Sequence, residues 1–351
     1  MKLLYITNGI TGSGGLERVL SIKASYLADK MGYEIHIITL NETNQIPFFQ
    51  FSQRVIIHNI TTQKGISYFS SYIKSINQIV KKTHPHIISV CDDGLKGLYV
   101  PLWINKGNSK IIYERHASMH LNGNMVSRFF MRLGGYLYDK VIVLTNYNKT
   151  EWSSKNVIVI PNPISFIPTQ VSTLSNHQII CVGSISYNKG YDLLIKAWAE
   201  IAHQFPTWCI HIYGKGDPSI YNKQINDAGI SKQIQFYPPT QNINKIYQQA
   251  SILVLPSRSE GFGMVLIEAM AYGIPCISFD CPCGPRDIIA HGVNGFLVEP
   301  NDTKSLSVYI SYLISNKKTR IRLGNNALNS ISKYSISKIA NIWHNTFVNL
   351  K

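Results

Sequence analysis

The sequence predicts an α/β protein built as two doubly wound parallel-sheet domains in tandem. Three observations carry this expectation. The chain has 351 residues, about twice the ~150 of an ordinary domain. Short apolar runs alternate with amphipathic stretches, as in a parallel sheet covered by helices on both faces. The alternation breaks once, over residues 161–175, which hold three prolines and little periodicity, and then restarts.

Taken in order, residues 3–7 form the first expected strand. A glycine-rich loop follows, Gly9-Ile10-Thr11-Gly12-Ser13-Gly14-Gly15. Residues 16–30 have helical periodicity through Leu16, Val19, Leu20, Ile22 and Leu27, and Gly32 closes that helix. A second strand is expected at 34–40, and others at 55–60, 87–91, 111–113, 141–144 and 157–160. Helices are expected at 68–82 and 126–139. Beyond the break, strands at 179–182, 208–213, 234–236, 252–255 and 275–279 alternate with helices at 191–204, 220–228, 243–250 and 264–272. Helices fill the chain from 304 onward. The expected domains are 1–165 and 166–334. Two such domains would place their glycine-rich turns across a central cleft, where open α/β sheets bind ligands.

Composition narrows the class. Apolar residues make up 45% of the chain and charged ones 15%, which excludes a disordered or coiled-coil protein. Lysine and arginine number 34 against 19 acids, a net charge of +15 that points to an anionic partner. The excess is spread out, with +9 in residues 1–165 and +6 in the remainder. No basic block exceeds two residues, so no nucleic-acid-binding tail is expected. The first apolar run is too short for a secretion signal, and no stretch of 18 apolar residues exists to span a membrane. The six cysteines sit in or beside apolar runs, as reduced cytosolic thiols do.

The strongest chemical signal is the run from Ser257-Arg258-Ser259-Glu260-Gly261-Phe262-Gly263-Met264-Val265 to Glu268. A strand ends at Pro256, and a loop with two glycines opens a short helix stopped by Gly273 and Pro275. The first backbone amides of that helix, at Gly263, Met264 and Val265, suit a phosphate. Glu260 and Glu268 flank this anion site. On spacing alone they are equally a helix cap and a surface charge, or acceptors for sugar and ribose hydroxyls.

This segment resembles the E-x7-E signature of glycosyltransferase family 4, the retaining GT-B transferases. The resemblance covers nearly the whole chain and is densest over 179–298. It implies a GT-B fold of two Rossmann-like domains, with the last helix (about 335–351) packed on the first domain. Carried onto this chain, Glu260 touches donor-sugar hydroxyls, Gly261, Phe262 and Gly263 give backbone contacts, and Glu268 holds the ribose. The turn Val182-Gly183-Ser184-Ile185-Ser186-Tyr187-Asn188-Lys189-Gly190 matches the family's glycine–lysine turn, which assigns Lys189 to the donor diphosphate. Ser184 stands where the family usually has arginine; Arg258 and Arg286 are the candidate replacements for that charge.

In the first domain, Gly12-Ser13-Gly14-Gly15-Leu16-Glu17-Arg18 resembles the family's G-G-x-E-R loop and places Gly14 and Gly15 at the leaving phosphate. A dinucleotide-binding reading is weakened here, because the full G-x-G-x-x-G is missing and no acid ends the second strand. His116, in Tyr113-Glu114-Arg115-His116, matches the family's strand-end histidine, which meets the donor sugar near the reacting carbon; a lone histidine is otherwise more often structural. Pro161-Asn162-Pro163 resembles the interdomain segment. Tyr237-Pro238-Pro239-Thr240 falls at the base-binding loop. Asp280-Cys281-Pro282-Cys283-Gly284-Pro285-Arg286-Asp287 resembles a run of the bacterial surface-polysaccharide members.

Metal chemistry has little support. Cys276, Cys281, Cys283 and His291 lack paired C-x2-C arms. Asp92-Asp93 is not the D-x-D of metal-dependent transferases and reads as an acceptor-facing loop or as simple surface. Residues 127–138 mix Arg128 and Arg132 with Phe129, Phe130 and Leu133; they form either a buried helix or one lying on an anionic membrane.

The resemblance therefore implies a metal-independent, retaining hexosyltransferase that needs no cofactor beyond a nucleotide-sugar donor, expected to be UDP-linked. It would move a hexose or N-acetylhexosamine to an undecaprenyl-diphosphate-linked or growing glycan of an O-antigen, capsule or exopolysaccharide. The expected place is the cytoplasm, peripheral at the inner membrane face. Alternatives are a GT-B sugar-nucleotide epimerase and a non-catalytic nucleotide-sugar-binding scaffold.

Overall fold

The computed structural model describes residues 1–43, 45–63, 65–119, 125–164, 166 and 168–350. The chain forms two compact units. One comprises Met1–Ser165 with Tyr334–Lys351, the other Phe166–Lys333.

The first unit holds a seven-stranded sheet of β1 (Lys2–Thr7), β2 (Glu34–Leu40), β3 (Val55–Ile60), β4 (Ile87–Cys91), β5 (Lys110–Glu114), β6 (Lys140–Val143) and β7 (Val157–Val159). Every pairing is parallel and the order is β3-β2-β1-β4-β5-β6-β7. The central strands read as near-continuous apolar runs because both their faces are covered. The helices are α1 (Gly15–Met31), α2 (Tyr68–Thr83), α3 (Leu95–Leu98), α4 (Met125–Gly134) and α5 (Asn146–Thr150). In α2, Tyr72, Ile76 and Val80 recur every four residues and form the buried stripe. They share a core with Val90, Leu98, Ile104 and Met131, so α2, α3 and α4 cover one face of the sheet. The other face packs on α1 through Leu20, Ala24 and Leu27.

The second unit repeats the plan with β8 (Gln178–Val182), β9 (Cys209–Tyr213), β10 (Ile234–Tyr237), β11 (Ile252–Leu255), β12 (Cys276–Phe279) and β13 (Gly295–Val298), ordered β10-β9-β8-β11-β12-β13. Its helices are α6 (Tyr191–Ile201), α7 (Asn222–Asp227), α8 (Ile243–Gln249), α9 (Met264–Ala271), α10 (Pro285–Ile288), α11 (Thr303–Ser315) and α12 (Lys317–Ser330). The chain then returns. Helix α13 (Ile336–Val348) buries Ile339, Ala340, Trp343 and Phe347 against the α1 side of the first sheet.

The expected elements are present, with differences at their ends. The helix expected over 126–139 stops at Gly134, which presses on Leu98, and continues only as a 3-10 turn at Gly135–Leu137. The helix expected over 191–204 ends as α at Ile201, and Ala202–Gln204 tighten to 3-10. Strand β13 and the short helices α3, α5 and α10 were not anticipated.

Candidate functional site

In the second unit, two loops at the carboxyl ends of β8 and β11 are laced together. The first runs through the 3-10 turn Tyr187–Lys189 to Gly190. Gly190 sits at φ 66°, and a Cβ there would lie 2.0 Å from the Pro256 carbonyl oxygen, so only glycine lets the loops close. The Asn188 side chain donates to the Ser259 carbonyl (2.9 Å), and the Arg258 amide donates to the Asn188 carbonyl (2.8 Å). This lacing brings Lys189 to Glu260: its Nζ donates to Oε1 at 2.6 Å, with side chains 19% and 10% exposed.

Arg258 is placed differently from the expectation that it supplies the charge missing at Ser184. Its guanidinium forks onto Asp192 (2.9 and 2.7 Å), donates to the Tyr187 carbonyl and stacks 3.8 Å over the Tyr187 ring. Burial would raise the Asp192 carboxyl, but the Arg258 hydrogen bonds and charge outweigh it and hold it below the usual range. Arg286 is engaged in the same way by Asp280 (2.9 and 2.6 Å). Each of the two cations is thus paired with an aspartate in the structure. The Ser184 turn is tied to the turn after β9, where the carbonyl of the exposed Lys215 accepts from the Ile185 amide.

Beyond Glu260, Gly261 is half-buried, Phe262 is buried, and Gly263 turns through φ 90° to open α9 with the amides of Met264 and Val265. Glu268 is not the surface charge that spacing alone allowed. It is 1% exposed, and its Oε2 accepts the Tyr247 hydroxyl at 2.9 Å. Tyr247 in turn packs on Tyr272 and Phe166, which makes an aromatic floor under the carboxylate. Tyr213 and Tyr237, at the ends of β9 and β10, stack at 4.8 Å just before the Pro238-Pro239 turn.

In the first unit, the glycine loop between β1 and α1 is shaped by Glu42, two residues past β2. Its carboxylate accepts from the amides of Ile10 (2.8 Å) and Thr11 (3.1 Å) and from the Thr11 hydroxyl. An acid does therefore follow β2, and it is spent on the loop itself. The Glu17 carboxylate folds back beside Gly12 and Gly14, where added Cβ atoms would meet it at 2.5 and 2.6 Å; Gly15, the first residue of α1, has open space.

His116 lies just past β5 and is held by a buried scaffold. The guanidinium of Arg115 donates to the carbonyls of Ala117 and Ser118 and to that of Asp93. The His116 amide donates to the Asp93 carboxylate at 3.0 Å. Asp92 is buried, caps the Gly94 amide and pairs with Lys96 at 3.2 Å. The pair Asp92-Asp93 is therefore not simple open surface: Asp93 braces the His116 loop, and Asp92 braces its own turn through Gly94 and Lys96. Beneath it lies an ion pair that the sequence reading missed, Lys23 with Glu114, each almost fully buried. A lysine on the apolar stripe of α1 and a glutamate ending an otherwise apolar strand were the available signals.

Cys91, Glu114 and His116 bring possible metal-ligating atoms within 4.8 Å of one another. The chemistry of the group does not suit a cation, because the Lys23 ammonium already holds the Glu114 oxygen. Burial first, and then the Glu114 charge, push the Cys91 thiol well up, away from the thiolate a metal needs.

The paired doubly wound units define a GT-B transferase fold, and known proteins similar to this chain say the same. Residues 169–330 match the model for glycosyl transferases group 1. Residues 13–169 match the model for Glycosyltransferase Family 4. An uncharacterized glycosyltransferase of Haemophilus influenzae is 31% identical over 97% of this chain and 98% of its own. The amylovoran biosynthesis glycosyltransferase AmsD of Erwinia amylovora is 26% identical over 98% of each. The solved structure of Anabaena HepE in complex with UDP superposes with a TM-score of 0.81, at 18% identity over 99% of this chain and 100% of that one. The chain belongs to the GT-B glycosyltransferases of the bacterial polysaccharide type.

Proposed function

We propose that this transferase moves a hexose or N-acetylhexosamine from a UDP-sugar to a lipid-diphosphate-linked glycan of a bacterial surface polysaccharide, with retention at the anomeric carbon. The observation that carries the reading is the laced pair of loops that sets Lys189 against Glu260 at the opening of α9. In this reading the donor diphosphate draws the Lys189 ammonium and meets the first amides of α9. Glu260 is thereby freed to accept sugar hydroxyls, Glu268 receives the ribose and Gly183 lets the phosphate approach. Gly14 and Gly15 serve the leaving phosphate from the first unit, and His116 meets the sugar near its reacting carbon. Fixed charge and helix amides do the work of a metal, and no further cofactor takes part. The UDP held by HepE and the biosynthetic role in the AmsD name support the donor and acceptor classes.

The acceptor side of the reading includes a membrane surface. Among the described residues no helix is long and apolar enough to cross a membrane. Helices α2 and α4 and the segment 95–110 contain no acid and eight basic residues. They expose Trp103, Met125, Phe129, Phe130 and Leu133, a composition that suits the interface of an anionic bilayer.

Calorimetry with UDP, GDP and ADP in EDTA, followed by acceptor-dependent turnover, tests the proposal. UDP binding that survives EDTA and is lost in Glu268→Ala is expected. Binding of no nucleotide, or donor breakdown that ignores acceptor, would replace it with the scaffold or the epimerase.

A further inference from the structure

We infer that Glu114, gripped by Lys23, is the positioning residue of His116: it accepts the Nε2–H and leaves Nδ1 as the atom that meets a donor-sugar hydroxyl. The second half of this statement rests on the proposed function; the first half does not.

Glu114 ends β5 with its carboxylate turned into the unit. One oxygen accepts the Ser89 hydroxyl at 2.5 Å, and the other accepts the Lys23 ammonium. That second oxygen also lies 3.4 Å from His116 Nε2. Lys23 is itself clasped between two rings, 4.1 Å from the Trp343 centroid and 4.9 Å from that of Tyr5. It is 1% exposed. Burial alone would raise the Glu114 carboxyl; the Lys23 charge and the neighbouring His116 outweigh it and bring it down to about 2. An ionised carboxylate only accepts hydrogen bonds, so the imidazole nitrogen facing it carries the proton. Among the described residues neither ring nitrogen has a hydrogen-bond partner, although both are shielded from solvent. Nε2 has Glu114 within reach of a small ring movement. Nδ1 has no such neighbour among the described residues, and a buried acceptor without one is a vacancy for a ligand group.

The Trp343 contact extends the arrangement to α13. A helix from the far end of the chain holds the lysine that holds the glutamate behind the histidine.

The test compares wild type with Glu114→Gln and with the double variant Lys23→Met/Glu114→Gln. The double variant removes both charges, so a folded protein is expected even if the single one is unstable. The first readout is the imidazole nitrogen NMR of His116 at a pH where the ring is neutral, assigned by its loss in His116→Gln. The wild type is expected in the Nε2–H tautomer, and an amide at 114 is expected to raise the Nδ1–H population. The second readout is turnover with UDP-glucose, UDP-galactose and UDP-N-acetylglucosamine. A kcat loss of about 10²-fold is expected, with donor KM moving less than about threefold and no further loss when His116→Ala is added. An unchanged tautomer, or losses that multiply with His116→Ala, overturns the inference. A wild type inactive on every UDP-sugar removes the proposed donor role, while the NMR comparison still decides the positioning.

Discussion

Each unit carries one lysine–glutamate pair at its site loop, and the two pairs are built for different purposes. Lys23 and Glu114 are 1% and 2% exposed; Lys23 lies between two aromatic rings, and Glu114 accepts from Ser89. Lys189 and Glu260 are 19% and 10% exposed and sit on two loops that a glycine lets close together. The first pair is almost fully buried, so its geometry is fixed with the fold. The second can exchange its partner for a solvated ion or a phosphate at small cost. The lesson is that the same two residue types are locked in place when sealed and open to exchange when left at the rim.

The comparison can be broken most directly by Lys23→Met. It leaves Glu114 charged in the core without its lysine partner, with an expected cost of about 3–5 kcal/mol in urea unfolding. Adding Glu114→Gln should restore most of that loss. A single variant as stable as wild type would mean the pair is not sealed. The acid side is checked by pH. The Glu114 carboxyl lies at about 2 in the folded protein, below its usual 4.5, so its contribution is complete above pH about 4.5 and drains away as pH falls toward 2. The acid unfolding midpoint of the double variant should respond less over that window.

Lys189→Met sharpens the other half. Stability should change by less than about 1 kcal/mol, while UDP affinity by calorimetry should fall about 10²-fold, near 2.7 kcal/mol. Equal affinity in the variant would end the assignment of Lys189 to the diphosphate. Ser184→Arg should raise UDP affinity about tenfold, or 1.4 kcal/mol, by adding a cation where the family usually has arginine; a decrease would show that the position is used differently in this chain. The smallest effect is expected for Arg258→Lys. It keeps the charge but loses the fork on Asp192, at about 1 kcal/mol of stability with donor affinity unchanged.

How much of this could be read beforehand depended on the range of the interactions. The strands and helices were legible because their signal is local: Tyr72, Ile76 and Val80 announce a buried stripe by spacing alone. Lys189, Glu260 and Glu268 were legible because they lie within motifs. What the motifs could not give was the state of each side chain. Arg258 looked like a spare cation until Asp192, 66 residues away, was seen to hold it. Asp92 and Asp93 looked like surface until Arg115, Lys96 and the His116 amide were seen to use them. The Lys23–Glu114 pair spans 91 residues, and Trp343 completes it from the far end of the chain. Contacts of that separation leave no pattern in a short window.

The return of α13 to the first unit also orders the making of the protein. Residues 166–333 form a continuous unit that has all its strands and helices before residues 334–351 leave the ribosome. The first unit, although synthesised earlier, lacks Ile339, Trp343 and Phe347 against α1 until then. A nascent chain should therefore finish its second half before its first, with Lys23 waiting on Trp343. A stop codon near residue 334 would spare the laced loops of Lys189 and Glu260 and cripple the unit that is synthesised first.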